Sequence, residues 1–128
     1  MAQGQAVFGG RGTEMFAGIC VSDFDVALEW YQRLFGCAPS FFPNDREAVW
    51  SIGDQRWLYI IVEPERAGGT IQTLMCDGLE ETIAEIAARG IHFTREETPA
   101  EGVRKVMYYD PDGNEIGVGR MPAGGGEK

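Results

Sequence analysis

The chain has 128 residues, 44% of them hydrophobic, which suits one domain with a real core and excludes wholesale disorder. A formal charge of −9, with Arg104-Lys105 as the only adjacent basic pair, argues against nucleic acid as a partner, because phosphate contacts need clustered Lys and Arg. No apolar run reaches the roughly 20 residues of a membrane span, and the opening residues, MAQGQAVFGGRGTE, lack the basic-then-apolar order of a signal peptide.

In chain order, residues 1–12 read as a glycine-rich tail. A short apolar run at 15–21 predicts a strand. Ser22 or Asp23 then caps a helix, with Phe24, Ala27, Leu28, Tyr31, Leu34 and Phe35 on one face and Gly36 as its stop. Three strands are expected at 38–42, 47–52 and 57–62, separated by Pro43-Asn44-Asp45 and Gly53-Asp54. A strand at 70–76 opens a second series. Asp77-Gly78 leads into a helix with apolar Leu79, Ile83, Ile86 and Ala87 and solvent-facing Glu80, Glu81 and Glu85; Gly90 ends it. Strands at 91–94, 103–109 and 115–120 follow, and 123–128 form a second glycine-rich tail.

The order β-α-β-β-β therefore occurs twice. The same spacing separates Asp23 from Gly36 and Asp77 from Gly90. The predicted architecture is α+β: a single domain at 13–122 built from two βαβββ units, 13–64 and 70–121, forming a curved mixed sheet around a groove suited to a ligand.

Cys20, Cys37 and Cys76 show no CxxC spacing and read as reduced thiols, mostly small core residues, in a cytoplasmic protein. The run Asp110-Pro111-Asp112-Gly113-Asn114-Glu115 places oxygen-bearing side chains close together. An EF-hand loop needs Gly at its sixth position and Glu at its twelfth. Counted from Asp110, glycine arrives too early and Met121 stands where the Glu belongs. The run is a hairpin turn, with Gly113 supplying the positive φ.

Three segments carry a family resemblance. VSDFDVALEWYQRLFG is similar to the first-helix signature of the glyoxalase/bleomycin resistance/dioxygenase (vicinal oxygen chelate) superfamily, in Val21, Asp23, Ala27, Trp30-Tyr31 and Phe35-Gly36. LMCDGLEETIAEIAARGIHF resembles its second strand-helix-strand, and YYDPDGNEIGV its last hairpin; together they span 13–121. The resemblance implies a homodimer with two grooves and, in many members, a divalent metal held by His, Gln or Glu. The positions that match those ligands are Phe16, Ile71 and Gly117, with Tyr59 near a fourth, and none supplies imidazole or carboxylate. Glu14 and Glu115 sit two residues from Phe16 and Gly117 and are the only nearby carboxylates that a slipped register could bring in.

The resemblance thus implies a metal-independent, cofactor-free small-molecule-binding protein of the bleomycin-resistance type. It would sequester a hydrophobic or cationic compound such as an antibiotic, with Phe16, Trp57, Tyr59, Ile71, Met75 and Gly117 at the ligand. Aromatic faces and an acidic surface both favour a cation. The alternative is a lyase, isomerase or dioxygenase of the same fold, with a non-standard metal site or metal-free acid-base groups; His92, the only histidine, Tyr59, Glu63 and Glu115 are the candidates.

Overall fold

The computed structural model describes residues 5–122. Of the expected tails, residues 1–4 and 123–128 lie outside the described residues, and Val7–Gly10 form a 3-10 turn. The first unit runs β1 (Met15–Val21), α1 (Phe24–Phe35), β2 (Phe41–Asn44), β3 (Glu47–Gly53) and β4 (Arg56–Val62). The second runs β5 (Ile71–Met75), α2 (Leu79–Ala88), β6 (Arg95–Glu97), β7 (Arg104–Tyr109) and β8 (Glu115–Arg120). A 3-10 turn at Pro64–Arg66 leads from one to the other.

Each unit makes one four-stranded mixed sheet, in the orders β1-β4-β3-β2 and β5-β8-β7-β6. In both, the first strand pairs in parallel with the last, and the remaining pairs are antiparallel. The parallel pair requires a crossover, which the helix provides. The Asp23 side chain accepts from the Val26 amide at 3.1 Å and starts α1. Asp77 is not its counterpart: the residue capping α2 is Gly78, with φ 67° and no side-chain cap, and the helix relies on Glu80 and Glu81 in its first turn.

Two expected strands are displaced. The strand expected at 38–42 starts at Phe41 and continues through Pro43. Pro39 has no amide to donate, so pairing with β3 begins with the Ser40 amide on Val49 O at 2.7 Å, and Pro43 is tolerated because β2 is an edge strand. The residues at 91–94 form no strand. Ile91 is buried and Phe93 lies edge-on to Tyr108 at 6.3 Å, so both are used in packing. Pairing begins with the Thr94 amide on Met107 O, and the charged β6 that follows makes the sheet edge. Cys37 also departs from expectation, being exposed.

The helix-facing residues of both sheets merge into one core. Ile19, Val21, Leu58 and Ile60 of the first unit pack in it with Val106, Tyr108, Ile116 and Val118 of the second. The residues at 110–114 tie the units together. The Asp110 carboxylate accepts from the Tyr31 hydroxyl at 2.7 Å, the Asp112 and Asn114 amides at 2.9 Å and the Asn114 side chain at 2.9 Å. Asn114 donates to Cys20 O at 2.9 Å and accepts from the amides of Gly68 and Thr70. Asp112 accepts from the Ser22 amide at 2.9 Å. Burial and, next, the Asp110 carboxylate push the Tyr31 phenol above its ordinary pKa, so it stays a donor. The segment is a hairpin turn, as its sequence indicates, with Gly113 at φ 93°. It is also the polar joint between the two units.

Candidate functional site

Strand alternation gives each sheet a helix side and an open side. On the first sheet, Ile19, Val21, Ala48, Trp50, Leu58 and Ile60 are buried toward the helices. The opposite parity forms cross-strand rows on the open side. Phe41 pairs with Val49, Val49 with Tyr59 and Tyr59 with Gly18; Ser51 pairs with Trp57 and Trp57 with Phe16; Glu47 pairs with Ile61 and Ile61 with Cys20.

These rows line an open basin of about 240 Å³ formed by Phe16, Phe41, Pro43, Glu47, Val49 and Tyr59. Its geometry follows from the register. The Phe16 and Trp57 rings stack at 5.6 Å with planes 8° apart, and Phe41 meets Trp57 at 5.8 Å, edge-on. Glu14 accepts from Trp57 Nε1 at 2.9 Å and holds the indole in that stack. Gly18 lets the Tyr59 ring lie across β1: a Cβ there would sit 2.6 Å from the ring carbon Cζ. The result is an aromatic basin with one carboxylate, Glu47, on its wall.

The second sheet has a different open side. Ile71, Thr73 and Met75 of β5 lie beside Glu115, Gly117 and Gly119 of β8, followed by Tyr109, Met107 and Lys105 of β7 and by Arg95 and Glu97 of β6. Tyr109 donates to Glu115 at 2.9 Å, and Arg95 bonds both Tyr109 and Glu97. The bond to Tyr109, chiefly, raises the Arg95 pKa above its ordinary value and holds it cationic. The Lys105 stem crosses Gly117: a Cβ on Gly117 would sit 2.7 Å from Lys105 Cε and 3.4 Å from Thr73 Oγ1.

The structure brings Phe16, Trp57 and Tyr59 together on the first open side, and Ile71, Met75 and Gly117 on the second. The two groups lie on different sheets, and Phe16 (50%), Ile71 (66%) and Met75 (44%) stay exposed. Phe41, Pro43, Glu47 and Val49 were not among the expected lining residues. The signal for Glu47 and Val49 was their parity with Tyr59 across the β3–β4 hairpin. His92 lies elsewhere, exposed beside a cavity of about 250 Å³ with Ile83, Ile91, Phe93 and Tyr108 on the helix side of the second sheet. Glu63 faces Arg46 at 3.7 Å.

The residues do not fit a divalent metal. Phe16, Ile71 and Gly117 carry no donor. Glu14 is bonded to Trp57 on one sheet and Glu115 to Tyr109 on the other. Among the described residues, no three His, Cys, Asp or Glu side chains gather to hold an ion. The position beside Gly117 is taken by the stem of a cation.

A family model for the Glyoxalase/Bleomycin resistance protein/Dioxygenase superfamily matches residues 15–118. The solved glyoxalase / bleomycin resistance protein from Catenulispora acidiphila DSM 44928 is 45% identical over 86% of this chain and 99% of its own, with a TM-score of 0.82. A bleomycin-binding protein complexed with bleomycin is 21% identical over 84% of this chain and 97% of its own, with a TM-score of 0.68. The lactoylglutathione lyase from Agrobacterium tumefaciens is 20% identical over 83% of this chain and 91% of its own, with a TM-score of 0.69. At those two identities the likeness is one of fold. No curated protein matches the sequence. No helix among the described residues is long and apolar enough to cross a membrane. With the family model spanning most of its length and a relative of 45% identity beside it, the chain belongs to the glyoxalase/bleomycin resistance protein/dioxygenase superfamily.

Proposed function

We propose that this protein binds and sequesters a small, largely hydrophobic compound without a metal, and works as a homodimer. The observation that carries the reading is the aromatic basin of about 240 Å³, floored by Tyr59 and Val49 and walled by Phe16 and Phe41. Burial of a planar ligand there is driven by removal of apolar area from water, and Glu47 favours a compound that also bears a positive charge. Among the described residues, Phe16 and Phe41 on one open side and Ile71 and Met75 on the other stay exposed, and a second copy would cover them. A dimer would thereby bring Ile71, Met75 and Gly117 of one chain to Phe16, Trp57 and Tyr59 of the other. The homodimer is testable by light scattering, which is expected to give twice the chain mass.

Calorimetric titration with planar cationic antibiotics, bleomycin among them, checks the binding role. Phe16→Ala and Tyr59→Ala are each expected to weaken binding on the order of tenfold while the melting temperature stays close to the parent's. A large loss of stability in both would make them core residues and remove the site. Metal analysis separates the enzymatic alternative: stoichiometric zinc, nickel, manganese or iron in the purified protein would overturn metal independence.

A further inference from the structure

On the second open side, Lys105 is a cation with no carboxylate partner among the described residues. Both carboxylates of that side are turned toward Arg95: Glu97 bonds it at 2.8 Å and Glu115 faces it at 3.7 Å. Glu97 is also the cross-strand partner of Lys105, yet its carboxylate points to Arg95 instead. Lys105 makes no ion pair among the described residues.

The stem is nevertheless placed. Cε and Cδ lie 2.7 and 3.5 Å from where a Gly117 side chain would begin, with Thr73 Oγ1 3.4 Å from the same point. Any side chain at residue 117 would push the lysine away. Beside it the Met75 sulfur covers Gly119, 3.0 Å from where a Cβ would be, and Met107 is fully buried under the face. A lysine whose stem lies over a glycine, with a threonine hydroxyl close to the same point, is a recognition element for an oxyanion.

The geometry points to Lys105, with Thr73 beside it, as the group that binds a carboxylate, sulfonate or phosphate on the ligand, so that the compound carries an anionic group as well as an apolar ring system. This rests on the small-molecule reading above and narrows its ligand class. It also changes the charge expected from composition: a net charge of −9 and Glu47 favour a cation, whereas this face selects an anion. A zwitterionic aromatic compound meets both faces.

Two dyes of one shape test it by fluorescence titration: anionic 8-anilinonaphthalene-1-sulfonate and its uncharged analogue N-phenyl-1-naphthylamine. The wild-type protein is expected to bind the sulfonate more tightly. Lys105→Met should weaken the sulfonate about tenfold, the loss of one charge-assisted hydrogen bond, and leave the neutral dye within about twofold; Lys105→Arg should restore most of the difference. Gly117→Ala displaces the stem without removing the charge and should weaken the sulfonate in the same direction, which keeps the test decisive if Lys105→Met folds poorly. Equal binding of the sulfonate by the wild type, Lys105→Met and Gly117→Ala overturns the role of Lys105 and leaves the small-molecule reading standing. Failure of the wild type to bind the sulfonate, with or without binding of the neutral dye, overturns the anionic ligand class, while the small-molecule reading stands or falls on the antibiotic titration.

Discussion

Asp110→Ala is expected to be among the most damaging single substitutions, costing about 3–5 kcal/mol. The carboxylate is 4% exposed and receives four hydrogen bonds. Alanine would strand the Tyr31 hydroxyl, which is fully buried, and the Asn114 side chain, also fully buried. It would also loosen the turn at both backbone amides. For a domain of this size the fall in melting temperature is roughly 10–20 °C. Asp110→Asn is expected to cost less, because its carbonyl oxygen can keep both backbone amides while its amide confronts that of Asn114. Thermal and urea unfolding of the two variants measure this. Equal, small losses would mean that the joint between the units is held by the apolar core alone.

Trp50→Ala is expected to lose about 3–5 kcal/mol through the cavity it leaves. The ring is 1% exposed, packs on Phe35 at 5.2 Å and Tyr31 at 6.2 Å, and donates from Nε1 to Cys37 O at 3.1 Å. Phe16→Ala removes a ring that is half exposed and stacked on one side only, so its unfolding cost stays near 1 kcal/mol while its effect falls on binding. The pair separates core from site by denaturant midpoint, since both are aromatic residues on strands and look alike in the sequence. Comparable midpoints for the two variants would place Phe16 in the core.

Most of the architecture was legible because its signals are local. The run at 15–21, the Asp23 cap, the Gly36 stop and the alternation in β3, β4, β7 and β8 are written in neighbouring residues. The displaced elements are the edge strands β2 and β6, where pairing on one side only leaves the start of the strand to packing. Ile91 and Phe93 satisfy a strand pattern but are spent on the core; the charged residues 95–97 look like a loop yet supply the outer ladder.

For the site, the sequence marked Phe16, Trp57 and Tyr59, and their rows on one open face follow from the register of β1 with β4. Their division from Ile71, Met75 and Gly117 was not legible, because it depends on how two sheets of similar pattern are oriented about a shared core. Lys105 was read only as half of a basic pair. Nothing local distinguishes a solvated lysine from one laid across a glycine on the neighbouring strand.

By itself, then, the sequence determined the repeated β-α-β-β-β order, the helix limits, and the lack of metal-binding side chains at Phe16, Ile71 and Gly117, since these depend on residue type and short spacing. The tertiary structure alone decided that residues 110–114 join the units, that Phe41 and Glu47 wall the basin, and that Lys105 takes the space beside Gly117. Each of these depends on partners far apart in the chain, as with Tyr31 and Asp110, whose proximity is set by the packing of both units on one core.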